Sequence, residues 1–240
     1  SKHLLPIYNK PMIYYPLSTL MLGGIREYLI ITNPSHLKLY QNLLGYGDNL
    51  GINIKYKIQK KPEGLPQAFI IGEKFINNEP VCLNLGDHIF FGNDVNRLLK
   101  KNINSFKKTT IFAYRHKKSN EYGVINLDKK NRPISISEKP NKPKSNLIVC
   151  GLYIYDKNVV ELSKNLKFSK RGELEISDLN NLYLKNNTLN VEIIDKKNHW
   201  IDAGSPEKIF EASKLIESIE KRKKSYIGFP EIAALKKRYI

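Results

Sequence analysis

Two aspartates stand where a divalent cation and a phosphate could meet. Asp87 closes Leu83-Asn84-Leu85-Gly86-Asp87, an apolar strand pattern ending in a glycine. Asp202 sits in Trp200-Ile201-Asp202-Ala203-Gly204, after an apolar pair and just before a helix start. In open α/β sheets ligands bind beyond the carboxyl ends of strands, and magnesium takes one or two carboxylates together with substrate phosphates. Aspartate after glycine is also an ordinary turn residue, so each alone has a plain structural reading. Lys139, in Ser137-Glu138-Lys139-Pro140, ends a strand pattern that the proline terminates. An ammonium fixed there suits a phosphate as a point charge; it equally suits a strand edge that must not pair further. Lys2 precedes an apolar segment, as a phosphate ligand or as an exposed terminal lysine. Gln59-Lys60-Lys61-Pro62-Glu63-Gly64-Leu65 is a turn whose side-chain amide could read a pyrimidine edge, although a turn needs its proline and glycine in any case.

The elements around these residues alternate. Tyr28–Ile31 and Val81–Leu85 are short buried-strand runs, and Ile52–Ile58 alternates as a strand with one wet face. Helical patterns cover Ser35–Leu44, ending at Gly45, and Gln67–Phe75, and Asp94 is placed to cap a helix running to about Lys101. A strand follows at Thr109–Tyr114. Strand, helix, strand in this order implies an α/β layer with a mostly parallel sheet. The second half differs. Tyr122–Leu127 and Pro133–Ser137 are strands joined by the turn Asp128-Lys129-Lys130-Asn131, residues 141–146 form a loop, and Leu147–Tyr155 is a long strand. Helices are expected over Lys157–Leu166, Ile176–Lys185, and from Ser205-Pro206, a capping serine followed by proline, to about Lys223. No repeat or linker divides residues 1–240, which are expected to form a single domain with an antiparallel part.

The 240 residues carry a formal net charge of +17. That invites a nucleic-acid reading, but 33 of the 40 basic residues are lysines, scattered in pairs without any nucleic-acid-binding motif. Lysine, asparagine and isoleucine together exceed a third of the chain, a bias of A/T-rich coding, so nucleic acid is not expected as a partner. Cys82 and Cys150 make neither a disulfide framework nor a metal spacing, which points to a reducing, cytoplasmic compartment. No run approaches a membrane span. The charge-free stretch from Pro11 to Ile25 is diluted by Pro16 and by hydroxyl side chains and is expected to be a buried segment rather than a leader.

Taken in order, the motifs resemble those of the glucose-1-phosphate thymidylyltransferases. The resemblance is carried by the run from Lys2 through Pro6-Ile7-Tyr8-Asn9-Lys10-Pro11 to Leu22, and by Leu85-Gly86-Asp87 and Glu121-Tyr122-Gly123-Val124. It continues through Glu138-Lys139-Pro140, Gly151-Leu152-Tyr153, Arg171-Gly172-Glu173-Leu174-Glu175-Ile176 and Trp200-Ile201-Asp202. It implies a Rossmann-like nucleotidyltransferase fold with a smaller antiparallel sugar-binding part, and a homotetramer. The implied reaction joins dTTP and glucose 1-phosphate into dTDP-glucose with release of pyrophosphate, for dTDP-rhamnose and polysaccharide synthesis. By the same resemblance Asp87 and Asp202 hold Mg2+, with Asp87 also on the nucleotide side. Lys2 binds the nucleotide phosphates and Lys139 the sugar phosphate; Gln59, Pro62 and Gly64 face thymine; and His88, Tyr122, Gly123, Glu138, Val149 and Arg171 line the sugar-phosphate side. Lys2, Lys139 and Arg171 are the expected catalytic residues.

Three departures stand out. The family places a glycine-rich phosphate loop and a first strand about twenty residues before the Lys2 position, and further helices after the Ile240 position; these 240 residues contain neither, so neighbouring strand edges are expected to lack a partner. His88 stands where the family usually has asparagine, and Ser137 where glutamate is common. A non-catalytic relative that binds nucleotide or a partner, and a basic nucleic-acid-binding protein, are the alternative readings.

Overall fold

The strand that organises the largest sheet is apolar along its whole length. In the computed structural model, which describes residues 1–130 and 132–240, every residue of Leu147–Tyr155 is buried. Successive side chains of a strand point to opposite faces, so a run apolar at every position must be covered on both. Leu147, Val149, Tyr153 and Tyr155 pack with Phe69, Ile136, Leu179 and Tyr183. Ile148, Cys150, Leu152 and Ile154 pack with Leu99, Phe112 and Trp200.

In chain order the elements are β1 (Pro6–Ile7), β2 (Lys10–Pro11), α1 (Tyr14–Gly23), β3 (Glu27–Thr32), α2 (Leu37–Leu44), β4 (Asn53–Ile58), α3 (Gln67–Ile71), α4 (Glu73–Ile76), β5 (Val81–Asn84), β6 (His88–Phe91) and α5 (Asn93–Asn104). There follow β7 (Thr109–Arg115), β8 (Gly123–Leu127), β9 (Pro133–Glu138), β10 (Leu147–Tyr155), α6 (Val159–Lys164), α7 (Ile176–Lys185), β11 (Leu189–Ile193), β12 (His199–Asp202), α8 (Pro206–Lys223) and α9 (Pro230–Lys237). Strands β5, β7, β8 and β11 share one direction, and β10 runs against them. One side of β10 carries β7; the other carries β8 near Ile148 and β5 from Leu152 to Tyr155. The fork lies at Gly151, where the register shifts and the backbone takes φ +71°. The alternation implied a mostly parallel sheet with an antiparallel part. Four strands of the central sheet do share one direction, but β10 runs between them, so among the described residues this sheet pairs in parallel only at β7–β11, and β8–β9 forms the antiparallel extension.

Several local expectations hold for the physical reasons given. The charge-free run becomes the buried helix α1, with Pro16 in its first turn and Gly24 closing it at φ +104°. The Ser205 side chain caps α8 by accepting from the Lys208 N–H. The β8–β9 turn is held by Asp128, whose carboxylate accepts from the Lys130 and Arg132 N–H groups; Asn131 lies outside the described residues. Two expectations are corrected. Asp94 does not cap α5 but lies in its first turn, where its own N–H is capped by Asn198 Oδ1 at 3.1 Å from the β11–β12 connection. The helix expected over Gln67–Phe75 is two short ones broken at Gly72.

Among the described residues β3 pairs in parallel with β4 alone, and β5 antiparallel with β10 alone. Between β3 and β5 runs a largely apolar groove of about 690 Å³, lined by residues of both strands and by Phe69, Phe75, Ile103 and Phe106. The Asn84 amide is buried beside it without a hydrogen-bond partner among the described residues.

Candidate active site

The two aspartates are brought side by side by a short antiparallel ladder. In the β6–β12 pair, His88 is opposite Asp202, and the Ala203 N–H donates to the Asp87 carbonyl at 2.8 Å. Each carboxylate holds a lysine. Lys2 Nζ lies 2.5 Å from Asp87 Oδ2, and Lys208 Nζ lies 2.8 Å from Asp202 Oδ2. The remaining oxygens share a neighbour: His88 Nε2 is 3.9 Å from Asp87 Oδ1 and 4.0 Å from Asp202 Oδ1. His88 is buried, and its Nδ1 lies 2.9 Å from the Cys150 carbonyl, which can only accept. Nδ1 therefore donates to that carbonyl, and Nε2 lies toward the aspartates. A Cβ at Gly151 would overlap this ring, so the fork in β10 needs glycine both for its φ and for the closeness of His88.

Burial pushes the Asp87 carboxyl up, but the field of His88 and the Lys2 ammonium outweigh it and leave the group below the usual aspartate range. Asp202 is lowered in the same way: burial raises it, and Lys208, His88 and Tyr122 more than compensate. Burial lowers Lys208, yet its hydrogen bonds to Asp202, Tyr122 and Glu121 carry it above the ordinary lysine value. Burial pushes the Tyr122 phenol up to about 12, so it stays a donor, to Asp202 Oδ2 at 3.0 Å.

Beyond the aspartates a cavity of about 240 Å³ opens where β8, β9 and β10 diverge. His88, Tyr122, Gly123, Glu138, Lys139, Val149, Arg171 and Asp202, all singled out in the sequence, line it together. Its far wall has the opposite charge pattern. One guanidinium, Arg171, lies 3.5 Å from Glu173 and Glu175 and 3.9 Å from Glu138. Ser177 Oγ donates to Glu138 at 2.5 Å, and Ser169 Oγ to Glu175 at 2.8 Å. Lys139 has φ +38°, unusual for a residue with a side chain, and its N–H donates to the Tyr122 carbonyl.

Gln59, Pro62 and Gly64 are not on this cavity wall. Their loop lies alongside it and is latched by Gln67, which accepts from Gln59 Nε2 at 2.5 Å and from the Glu63 N–H at 3.1 Å and donates to Glu63 Oε2 at 2.7 Å. The Leu174 N–H donates to the Glu63 carbonyl. Gly64, at φ +106°, abuts the Leu174 backbone so closely that a side chain would not fit. The loop thus docks on the Arg171 segment. Sequence reasoning missed Gln67, Ser177, Glu175 and Lys208; of these only Glu175, inside a quoted motif, carried any signal.

The residue types and the cavity together suit a phosphorylated sugar beside a metal-phosphate centre. The nucleotidyl transferase family profile matches residues 1–219. The chain belongs to that family. It is 49% identical over 220 residues to a Neisseria meningitidis glucose-1-phosphate thymidylyltransferase, covering 92% of this chain and 76% of that one. A solved structure from Bacillus anthracis, assigned as a glucose-1-phosphate thymidylyltransferase and complexed with sucrose, superposes with TM-score 0.81 at 35% identity, covering 89% of this chain and 85% of that one. A UDP-glucose pyrophosphorylase complexed with UDP-glucose gives TM-score 0.78 at 25% identity, covering 93% and 91%.

For this nucleotidyltransferase the donor set at Asp87 and Asp202 fits a divalent metal. Two carboxylates at adjacent strand ends each have one oxygen near the same His88 Nε2, at 3.9 and 4.0 Å, and each already attracts a cation. Among the described residues no three His, Cys, Asp or Glu side chains form a metal group on their own. Two carboxylates suit a magnesium ion that takes its other ligands from phosphate and water. Among the described residues no helix is long and apolar enough to cross a membrane.

Proposed function

We propose that the chain is a glucose-1-phosphate thymidylyltransferase. The supporting observation is a sugar-sized cavity lined by Asp202 and by its ladder partner His88, which directly follows Asp87, in a chain related across most of its length to enzymes of that name. A phosphate oxygen of glucose 1-phosphate attacks the α-phosphorus of dTTP. The new P–O bond forms as the bond to the β-phosphate bridge breaks, and pyrophosphate takes the electron pair. Such a transfer needs positioning and charge neutralisation more than covalent chemistry.

Asp87 and Asp202 hold Mg2+, which when bound supplies charge for the phosphate oxygens. Lys2 passes from Asp87 to the nucleotide phosphates, and exposed Lys139 meets the sugar phosphate at the cavity mouth. Glu138, Glu175 and Arg171 bind glucose hydroxyls, with Ser177 and Ser169 fixing the two carboxylates. Tyr122, Gly123 and Val149 shape the wall. His88, whose Nε2 faces the aspartates, acts at the border between sugar and metal rather than on the sugar alone. Gln59, Pro62 and Gly64 carry thymine recognition through the Gln67 latch. The product serves dTDP-sugar and polysaccharide synthesis, and the enzyme works in the cytoplasm as a homotetramer. Incubation of the full chain with Mg2+, dTTP and glucose 1-phosphate should yield dTDP-glucose and pyrophosphate in equal amounts. Pyrophosphate without dTDP-glucose, or equal use of a purine triphosphate, would overturn the assignment.

A further inference from the structure

Lys208 occupies a position that helix physics disfavours. It lies in the first turn of α8, where its N–H meets the capping Ser205. The N-terminus of a helix carries partial positive charge and favours anions. The ammonium is held there by three acceptors that use all three of its hydrogens: Asp202 Oδ2 at 2.8 Å, Glu121 Oε2 at 3.1 Å and the Tyr122 oxygen at 3.1 Å. Only one of the three belongs to the metal pair. Glu121 comes from the segment before β8 and is ion-paired with Lys208 at 3.1 Å.

We propose that Lys208 is a built-in competitor for the metal site: its ammonium occupies Asp202 when substrate is absent, and Glu121 receives it when Asp202 takes a metal ion. An ammonium 2.8 Å from Asp202 and a divalent ion on the same carboxylate repel each other strongly in a half-buried setting, so Asp202 takes the metal only by loosening Lys208. Asp202 Oδ1, which accepts from the Gly204 N–H and lies 4.0 Å from His88 Nε2, is not the oxygen that the lysine holds. Lys2 blocks Asp87 in parallel but differs in its destination. The nucleotide phosphates can draw Lys2 away, whereas Lys208 has its second anion, Glu121, within the protein. Both aspartates are therefore ion-paired at rest, and the site admits metal weakly until nucleotide arrives.

The inference rests on the two-aspartate metal reading, and binding without turnover separates the two. Mn2+ alone serves as the probe, with free ion measured by electron paramagnetic resonance, in the full chain with and without dTTP. Lys208→Met should tighten Mn2+ binding without nucleotide by about tenfold, and Lys208→Arg, which keeps the charge, should bind as the wild type does. Glu121→Gln, which removes the second anion, should weaken binding severalfold. A purely structural lysine would not give opposite signs in Lys208→Met and Glu121→Gln. Unchanged or weaker binding by folded Lys208→Met overturns the proposal. If that variant does not fold, unchanged or tighter binding by Glu121→Gln overturns it. Absence of Mn2+ binding in every protein, even with dTTP, overturns the metal reading and this inference with it; binding by the wild type with dTTP but no response to Lys208→Met overturns this inference alone.

Discussion

The two ends of the cavity are neutralised in opposite ways. At the strand-end side each carboxylate has its own lysine, Lys2 on Asp87 and Lys208 on Asp202. At the sugar side a single guanidinium, Arg171, stands among Glu138, Glu173 and Glu175. The first arrangement is one of exchangeable cations, suited to phosphates and a metal that arrive with charge of their own. The second leaves carboxylate acceptors in excess, suited to a neutral polyol that donates from its hydroxyls. The scaffolds differ too. Asp202 and its neighbours lie on paired strands, whereas Arg171 sits in the connection between α6 and α7.

The sharpest way to break this contrast is to remove charge from the strand-end side. Asp87→Asn should lower kcat by roughly a thousandfold or more through loss of metal and phosphate positioning, with the circular-dichroism spectrum retained. A smaller change is expected at the base. If the loop latched by Gln67 reads thymine, dTTP should be preferred over UTP by roughly tenfold to two-hundredfold in kcat/KM, the worth of about one methyl group. Gln67→Ala should erode that preference and raise the KM for dTTP.

On the sugar side, Arg171→Ala should raise the KM for glucose 1-phosphate by roughly tenfold to a hundredfold, the range for hydrogen bonds to charged groups, while kcat falls less than in Asp87→Asn. An equal fall in kcat would erase the distinction between the two ends. The Arg171 ion pairs are half-exposed, so the melting temperature should hardly move.

The smallest effect concerns pH and stability. The Asp87 and Asp202 carboxyls are lower in the folded protein than the ordinary value of 3.8. For a depressed carboxylate the unfolded chain binds protons first as pH falls, so the stabilisation is complete above about pH 4–5 and is lost as pH drops through the folded values. Urea midpoints of the wild type should therefore fall between about pH 5 and pH 3 more than those of Asp202→Asn. Parallel curves would mean that the lysine pairs add nothing to the fold.

Much of this was legible in the sequence because it is local. The Ser205 cap and the buried run that became α1 each depend on residues within a few positions, whereas the strand expected to be buried over Val81–Leu85 forms over Val81–Asn84 but is only half-buried, because it borders the groove beside β3. The fork in β10 was half legible: an uninterrupted apolar run announces a strand covered on both faces, but only the fold shows that its two halves pair with β8 and β5. Lys208 was not legible at all. Two of its three acceptors lie 86 and 87 residues away, and in sequence it is one of many lysines on a polar helix face. His88 was flagged for standing at a usually different residue, yet its contact with the Cys150 carbonyl, 62 residues on, decides which nitrogen faces the aspartates. The Asp94 cap failed for the same reason, since the capping side chain came from 104 residues away.

The measurement that bears most directly on the division of labour is a kcat and KM analysis of Asp202→Asn in the full chain, with dTTP, glucose 1-phosphate and saturating Mg2+, following dTDP-glucose and pyrophosphate together. The expected result is equal formation of both products by the wild type, with kcat lowered by roughly a thousandfold in the variant and the KM for glucose 1-phosphate within a few-fold of the wild type. A variant that turns over at the wild-type rate, or that loses sugar affinity while keeping kcat, would contradict it.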